Sequence, residues 1–287
     1  MIRYKVICPL NGFIVPFDLA VDHKKANGIL RELIDQLTDG IPFFNGIKLR
    51  RISKEDIEDL KPHASYPYSS TAELSPDMFV LEKNITFEDV DGVPHFPLND
   101  DMRRIILAMR LLKKGYVSTS GIFYILLSKK RQLEAWSIEG ANKLAEFQSE
   151  EYALKIEETP HLQKLVERVG GLNFEKQRSL GIACRRFEHT YEEEGVGDKL
   201  IDYMIAFEAL FLRGEKAPAP GKVIATACSV LLGTSEKERR KIRETLTKAY
   251  FLRNRVVHGA ECKEKIKDVT ISEIEDYLRE SIKRFLD

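Results

Sequence analysis

An arginine and a histidine stand five residues apart near the end of the chain, in the run Y-F-L-R-N-R-V-V-H-G from Tyr250 to Gly259. A guanidinium that stays charged can stabilise a developing phosphate charge, and an imidazole that titrates near neutral pH can move a proton beside it. Arg253 lies seven residues after Leu246 and four after Ala249. On a helix it therefore continues an apolar stripe, and it needs an anion or a set of acceptors. Glu208 is the internal candidate, interrupting I-A-F-E-A-L-F-L three residues after Ile205 and four before Leu212. Two readings stand: an Arg253–Glu208 ion pair that locks two helices, or an Arg253 that faces a phosphate. His258 lies about 140° around an unbroken helix from Arg253. Gly259 is a helix stop, and the distorted last turn is expected to bring the imidazole back toward Arg253. Asn254, four residues before His258, shares its face and is positioned to orient the ring. The structural alternative for His258 is a cap on the last carbonyls of its helix.

The segment that carries this pair is strongly basic. From Ser235 to Arg255 there are eight basic residues against three acidic ones, a local charge of plus five. Arg239, Arg240, Arg243, Lys248 and Arg255 are the candidates to hold a polyanion such as RNA, the alternative being a solvated helix face.

These residues need helices to place them, and the last third of the chain reads as helices only. Phe174 to Glu193 repeats Leu180, Cys184, Phe187 and Tyr191; Asp198 to Leu212 repeats Ile201, Ile205 and Leu212; Lys222 to Leu232 repeats Val223, Ala227 and Leu231. Ser235 opens a fourth helix with Ile242, Leu246 and Ala249, and Ser272 caps a fifth with Ile274, Leu278, Ile282 and Phe285. The expected domain is a helical bundle, residues 171–287, beginning at the Gly170-Gly171 pair.

Residues 1–170 read as a mixed α+β region of unknown role. Arg3 to Cys8 and Gly12 to Phe17 suggest a hairpin about Pro9 to Gly12. Lys24 to Leu37 has helical periodicity, Phe43 to Ile52 is strand-like, and Ser53 with Asp56 forms a capping-box start for a short helix through Leu60. Met78 to Phe87 and Ile122 to Leu127 are strand candidates. Asn99-Asp100-Asp101 caps a helix from Met102 to Lys114, and Lys129 to Val169 is mostly helical in propensity. The fold class is thus α+β, predominantly α.

Three strings in order, D-K-L-I-D-Y-M-I-A-F-E-A-L-F-L, A-C-S-V-L-L-G and Y-F-L-R-N-R-V-V-H-G, resemble the Apea-like branch of the HEPN superfamily. The likeness covers roughly 172–287 and, more loosely, L-N-D-D-M-R-R-I-I-L-A-M-R-L-L-K-K-G. It implies a metal-independent endoribonuclease without cofactor, acting as a homodimer through the bundle. Cleavage by the ribose 2'-hydroxyl would leave a 2',3'-cyclic phosphate. In that scheme His258 transfers the proton, Arg253 stabilises the phosphate and Asn254 orients. A toxin, defence or stress-response setting goes with it. The family also holds members that bind RNA or a nucleotide, or only assemble, without turnover.

Composition narrows the rest. With 45 Lys+Arg and 45 Asp+Glu among 287 residues the formal charge is zero, so a polyanion contact has to come from a local patch. Cys8, Cys184, Cys228 and Cys262 form no C-x-x-C pair and read as buried free thiols of a reducing compartment. No run approaches the roughly 18 apolar residues of a membrane span, and a cytoplasmic protein with no membrane partner is expected. Gly214 to Lys222 is too widely spaced for a phosphate loop. His23, His63, His95, His161 and His189 stand singly without metal-ligand spacing, so no metal site is expected.

Overall fold

The computed structural model describes residues 2–15, 39–61, 74–87, 98–119, 121–127, 132–137, 151–259 and 271–287. The chain divides into two compact units, Met1–Gly171 and Leu172–Asp287, the first mixed and the second helical. The α+β, predominantly α class is what the sequence pattern leads one to expect. The helix expected over Lys24 to Leu37 lies outside the described residues.

In the first unit the elements run β1 (Ile2–Asn11), β2 (Phe13–Ile14), β3 (Ile41–Pro42), β4 (Lys48–Arg51), α1 (Lys54–Leu60), β5 (Phe79–Phe87), α2 (Leu98–Leu112), β6 (Ser118–Thr119), β7 (Ile122–Leu126), β8 (Gln132–Ser137), β9 (Tyr152–Ala153) and α3 (Thr159–Gly170). The sheet order is β3-β4-β5-β1-β7-β8, antiparallel throughout, with β6 pairing the far end of β1. The expected hairpin at Pro9 to Gly12 does not form. β1 runs straight to Asn11, and β2 pairs in parallel with β9. Gly12 (φ 70°) turns the chain out of the sheet so closely past Tyr116 that a Cβ there would sit 2.5 Å from its carbonyl oxygen. Strand character in the Phe43 to Ile52 run begins only at Lys48, because Asn45 (φ 54°) and Gly46 (φ 73°) make a turn first. Gln132–Ser137 is a strand rather than helix, since pairing with β7 outweighs its local propensity.

α1 starts with the expected capping box, Ser53 and Asp56 each bonding the other's backbone N–H. It covers a core of Ile7, Ile52, Leu60, Val80 and Ile125. Asp56, fully buried, receives Lys5 and, at 2.7 Å, Arg50, which also pairs with Glu82. α2 begins four residues earlier than expected, so Asp100 and Asp101 sit in its first turn and favour its positive end.

The second unit comprises α4 (Arg178–His189), α5 (Val196–Phe211), α6 (Pro220–Leu232), α7 (Glu236–Val257) and α8 (Ile271–Leu286). α5 packs against all four others. The stripes on α4, α7 and α8 are buried as expected at Leu180, Cys184, Phe187, Ile242, Leu246, Ala249, Ile274, Leu278 and Ile282. Those on α5 and α6 are not. α5 buries Leu200, Tyr203, Met204, Phe207 and Leu210, leaving Ile201, Ile205 and Leu212 only half-buried. α6 buries Ile224, Ala225 and Cys228 while Val223 and Leu231 are exposed. Both helices are apolar on most sides, so their periodicity does not select a face. Cys8, Cys184 and Cys228 are free and buried, and burial pushes each thiol up to about 12. Among the described residues no helix is long and apolar enough to cross a membrane.

Candidate functional site

α7 is the helix that carries Arg253 and His258. Its first turn is closed by Ser235, whose Oγ accepts from the Glu238 N–H at 3.2 Å. α6 runs antiparallel beside it: Gly221 faces Tyr250 at one end, and Gly233 faces Arg239 at the other. A Cβ on Gly221 would lie 2.8 Å from the Tyr250 ring, so the two helices approach backbone to ring. At the same end of α7, Gly197 in the first turn of α5 lies against Val256. Three helices thus meet around the last two turns of α7.

Arg253 is four residues past the buried Ala249, and its side chain is 21% exposed. Its Nη2 lies 3.7 Å from Glu208 Oε2, its Nη1 donates to Asn254 Oδ1 at 3.1 Å, and its guanidinium sits over the Tyr250 ring at 5.8 Å. Nε is buried without an acceptor among the described residues. Tyr250 hydrogen-bonds to Glu208 as well; burial first, and then the Glu208 charge, raise its phenol above the ordinary value. Glu208 is 27% exposed because it lies on the half-buried side of α5, so the pair is not deeply desolvated.

His258 is placed differently from the expectation. It is the C-cap residue, at φ −89° and ψ 15°, and its N–H still donates to the Asn254 carbonyl at 3.1 Å. The helical winding therefore continues through His258, and the left-handed turn comes at Gly259 (φ 74°), one residue too late to swing the imidazole to the Arg253 side. His258 is exposed, with no side-chain hydrogen bond or ion pair among the described residues. Asn254 meets Arg253 through its side chain and His258 only through its backbone, so it braces the guanidinium instead of the ring. Phe251 (60% exposed), Val257 (50%) and Val196 (47%) leave apolar surface around this end.

The basic residues of α7 are less free than their sequence suggests. Arg239 Nε donates to the Gly233 carbonyl at 3.0 Å, closing the end of α6. Arg240 pairs with Glu244 at 2.9 Å, Arg243 with Glu236 at 2.5 Å and Lys241 with Glu273 at 2.8 Å. Among the described residues Lys248 and Arg255 have no ion-pair partner. Lys248 lies one helical turn before Phe251, Arg255 one turn after it and His258 one turn beyond Arg255, which places all four along one face of α7.

One constellation escaped the sequence reading. Asp202 on α5, with a side chain 6% exposed, accepts from Arg186 at 2.8 Å and from the Nδ1–H of His189 at 2.7 Å, and Glu193 lies 3.4 Å from the same nitrogen. The hydrogen bond to Asp202, with the nearby carboxylate charges and against the opposing effect of burial, raises the imidazole above its ordinary value. His189 and Asp202 are thirteen residues apart, and only the turn between α4 and α5 joins them, so no local spacing announces the group.

No protein-family model, characterised protein or solved structure matches the chain.

Proposed function

We propose that the second unit is an endoribonuclease of HEPN type that works as a cytoplasmic homodimer, with Arg253 and His258 as its reacting groups. The observation that carries this reading is Arg253. A guanidinium that continues an apolar stripe, 21% exposed and held at its Nη2 only by an ion pair of 3.7 Å, keeps its terminal nitrogens as donors for a phosphate.

In the proposed reaction the ribose 2'-oxygen attacks the adjacent phosphorus and its proton passes to the His258 imidazole. The O2'–P bond forms as the P–O5' bond breaks, and a protonated imidazole or water returns a proton to the departing 5'-oxygen. Arg253, braced by Asn254 and Tyr250, offsets the charge that grows on the non-bridging oxygens. The products are a 2',3'-cyclic phosphate and a 5'-hydroxyl, and the reaction as written uses no metal. Arg253 and His258 lie on different sides of one helix, so each chain supplies half a site. The apolar surface of Phe251, Val257 and Val196 beside that half is where a second copy docks. Lys248 and Arg255 hold the RNA backbone. A toxin, defence or stress-response role extends this reading by analogy.

The test is cleavage of single-stranded RNA in EDTA by the wild-type chain, Arg253→Ala and His258→Ala. Both variants should be inactive alone. Mixed, they form a dimer in which one of the two composite sites is intact, and about a quarter of the wild-type rate should return for random pairing. Cleavage retained in both variants, or cleavage that EDTA abolishes, sinks the mechanism. A mixture that stays inactive places both groups within one chain.

A second reading is favoured by the Glu208–Arg253 pair and by the distance of His258 from it: a non-catalytic module that grips RNA or a nucleotide. It predicts salt-dependent RNA affinity without turnover.

A further inference from the structure

We propose that His189, Glu193 and Asp202 bind one first-row divalent transition ion, Zn2+ in the first instance, which staples the end of α4 to the second turn of α5. The imidazole nitrogen and one oxygen of each carboxylate all lie within 4.8 Å of one another. The separations from Nδ1 are 3.4 Å to Glu193, which matches the edge of about 3.4 Å between neighbouring ligands of a tetrahedral ion held at about 2.1 Å, and 2.7 Å to Asp202, a hydrogen-bond contact that opens as the ion replaces the proton. One nitrogen and two carboxylate oxygens suit Zn2+ and its neighbours, whereas Mg2+ and Ca2+ take oxygen ligands.

The arrangement is built by the backbone. After α4 the Thr190 N–H donates to the Arg186 carbonyl and the Glu192 N–H to that of His189, and this winding returns Glu193 to the His189 side. Asp202 enters from α5, and its second oxygen is fixed by Arg186, the outer hydrogen bond that orients a carboxylate ligand. The site has a buried floor at Asp202 and an open side at His189, 47% exposed, where water can complete the coordination. The ion occupies the place of the Nδ1 proton, and the Arg186 charge offsets one of the two carboxylates. No residue is shared with the Arg253–His258 end of α7, so the site stands or falls without reference to RNA.

The experiment uses the untagged full-length chain, stripped with a chelator, dialysed and titrated with Zn2+ by calorimetry, with bound metal counted by mass spectrometry. One ion per chain and a rise in the thermal midpoint are expected. Affinity should fall at least about tenfold in His189→Gln and in Glu193→Gln, and fall less in Arg186→Gln. His161→Gln, at an exposed histidine of the first unit, should bind as the wild type does. The substituted side chains are partly exposed, and circular dichroism of the metal-free variants verifies their folding. Absence of saturable binding, or binding undiminished in both His189→Gln and Glu193→Gln, overturns the site; equal affinity for Mg2+ overturns the choice of ion.

Discussion

At 3.7 Å, with side chains 21% and 27% exposed, the Arg253–Glu208 pair belongs among contacts that contribute less than about 1 kcal/mol. Glu208→Gln should therefore change stability by less than about 1 kcal/mol, while RNA affinity rises because a competing carboxylate is gone. Unfolding in urea and a binding titration at fixed salt check the two halves. An affinity that falls would make Glu208 a group the RNA needs. Asp56 is the opposite case, fully buried beneath Lys5 and Arg50. Burial works to raise its carboxyl, but hydrogen bonds from Arg50, Lys5 and Ser53 outweigh that and hold it well below the ordinary range. A depressed folded value means that the stabilisation is complete above the unfolded carboxyl's value of about 4 and is lost as pH falls below it. Asp56→Asn should cost about 3–5 kcal/mol at neutral pH and flatten that acid limb in urea titrations. An unchanged limb would assign it to other carboxylates such as Glu158, which Lys113 lowers against its own burial. Arg253 was legible because Ile242, Leu246 and Ala249 draw a stripe through an otherwise charged helix. His189 was not, because its partner lies across a turn.

Among elements, α7 owes its clarity to contrast, and α5 and α6 lose theirs to its absence. Their apolar residues surround the helix, so the stripe through Ile201 and Ile205, and that through Val223 and Leu231, each picked the wrong side. That error also made Glu208 look buried. The strands were legible where β-branched and aromatic residues cluster, as in β5 and β7, but not at β8, whose partner is supplied by the sheet. The α6–α7 contact gives a direct test. Gly221→Ala adds a methyl 2.8 Å from the Tyr250 ring, at the ring that supports Arg253. We expect a loss of about 1–3 kcal/mol and weaker RNA binding together. Equal RNA affinity in a destabilised variant would separate Tyr250 from the site.

Across the whole molecule, each unit has its own core, and the functional candidates all fall in Leu172–Asp287. That segment expressed alone should fold cooperatively, with a strong helical signal and a sharp thermal transition. A broad, non-cooperative melt would show that residues 1–171 are needed to complete it. The division between Gly171 and Leu172 accompanies a change in the sequence from mixed to purely helical periodicity. The pairing of β7 with β8 has an optical corollary. The only tryptophan in the chain, Trp136, lies on β8 opposite Phe123. Indole emission is therefore a reporter for the first unit alone, whereas far-ultraviolet ellipticity is dominated by the helices of the second. Two spectrometers pointed at one sample follow two different halves of the chain.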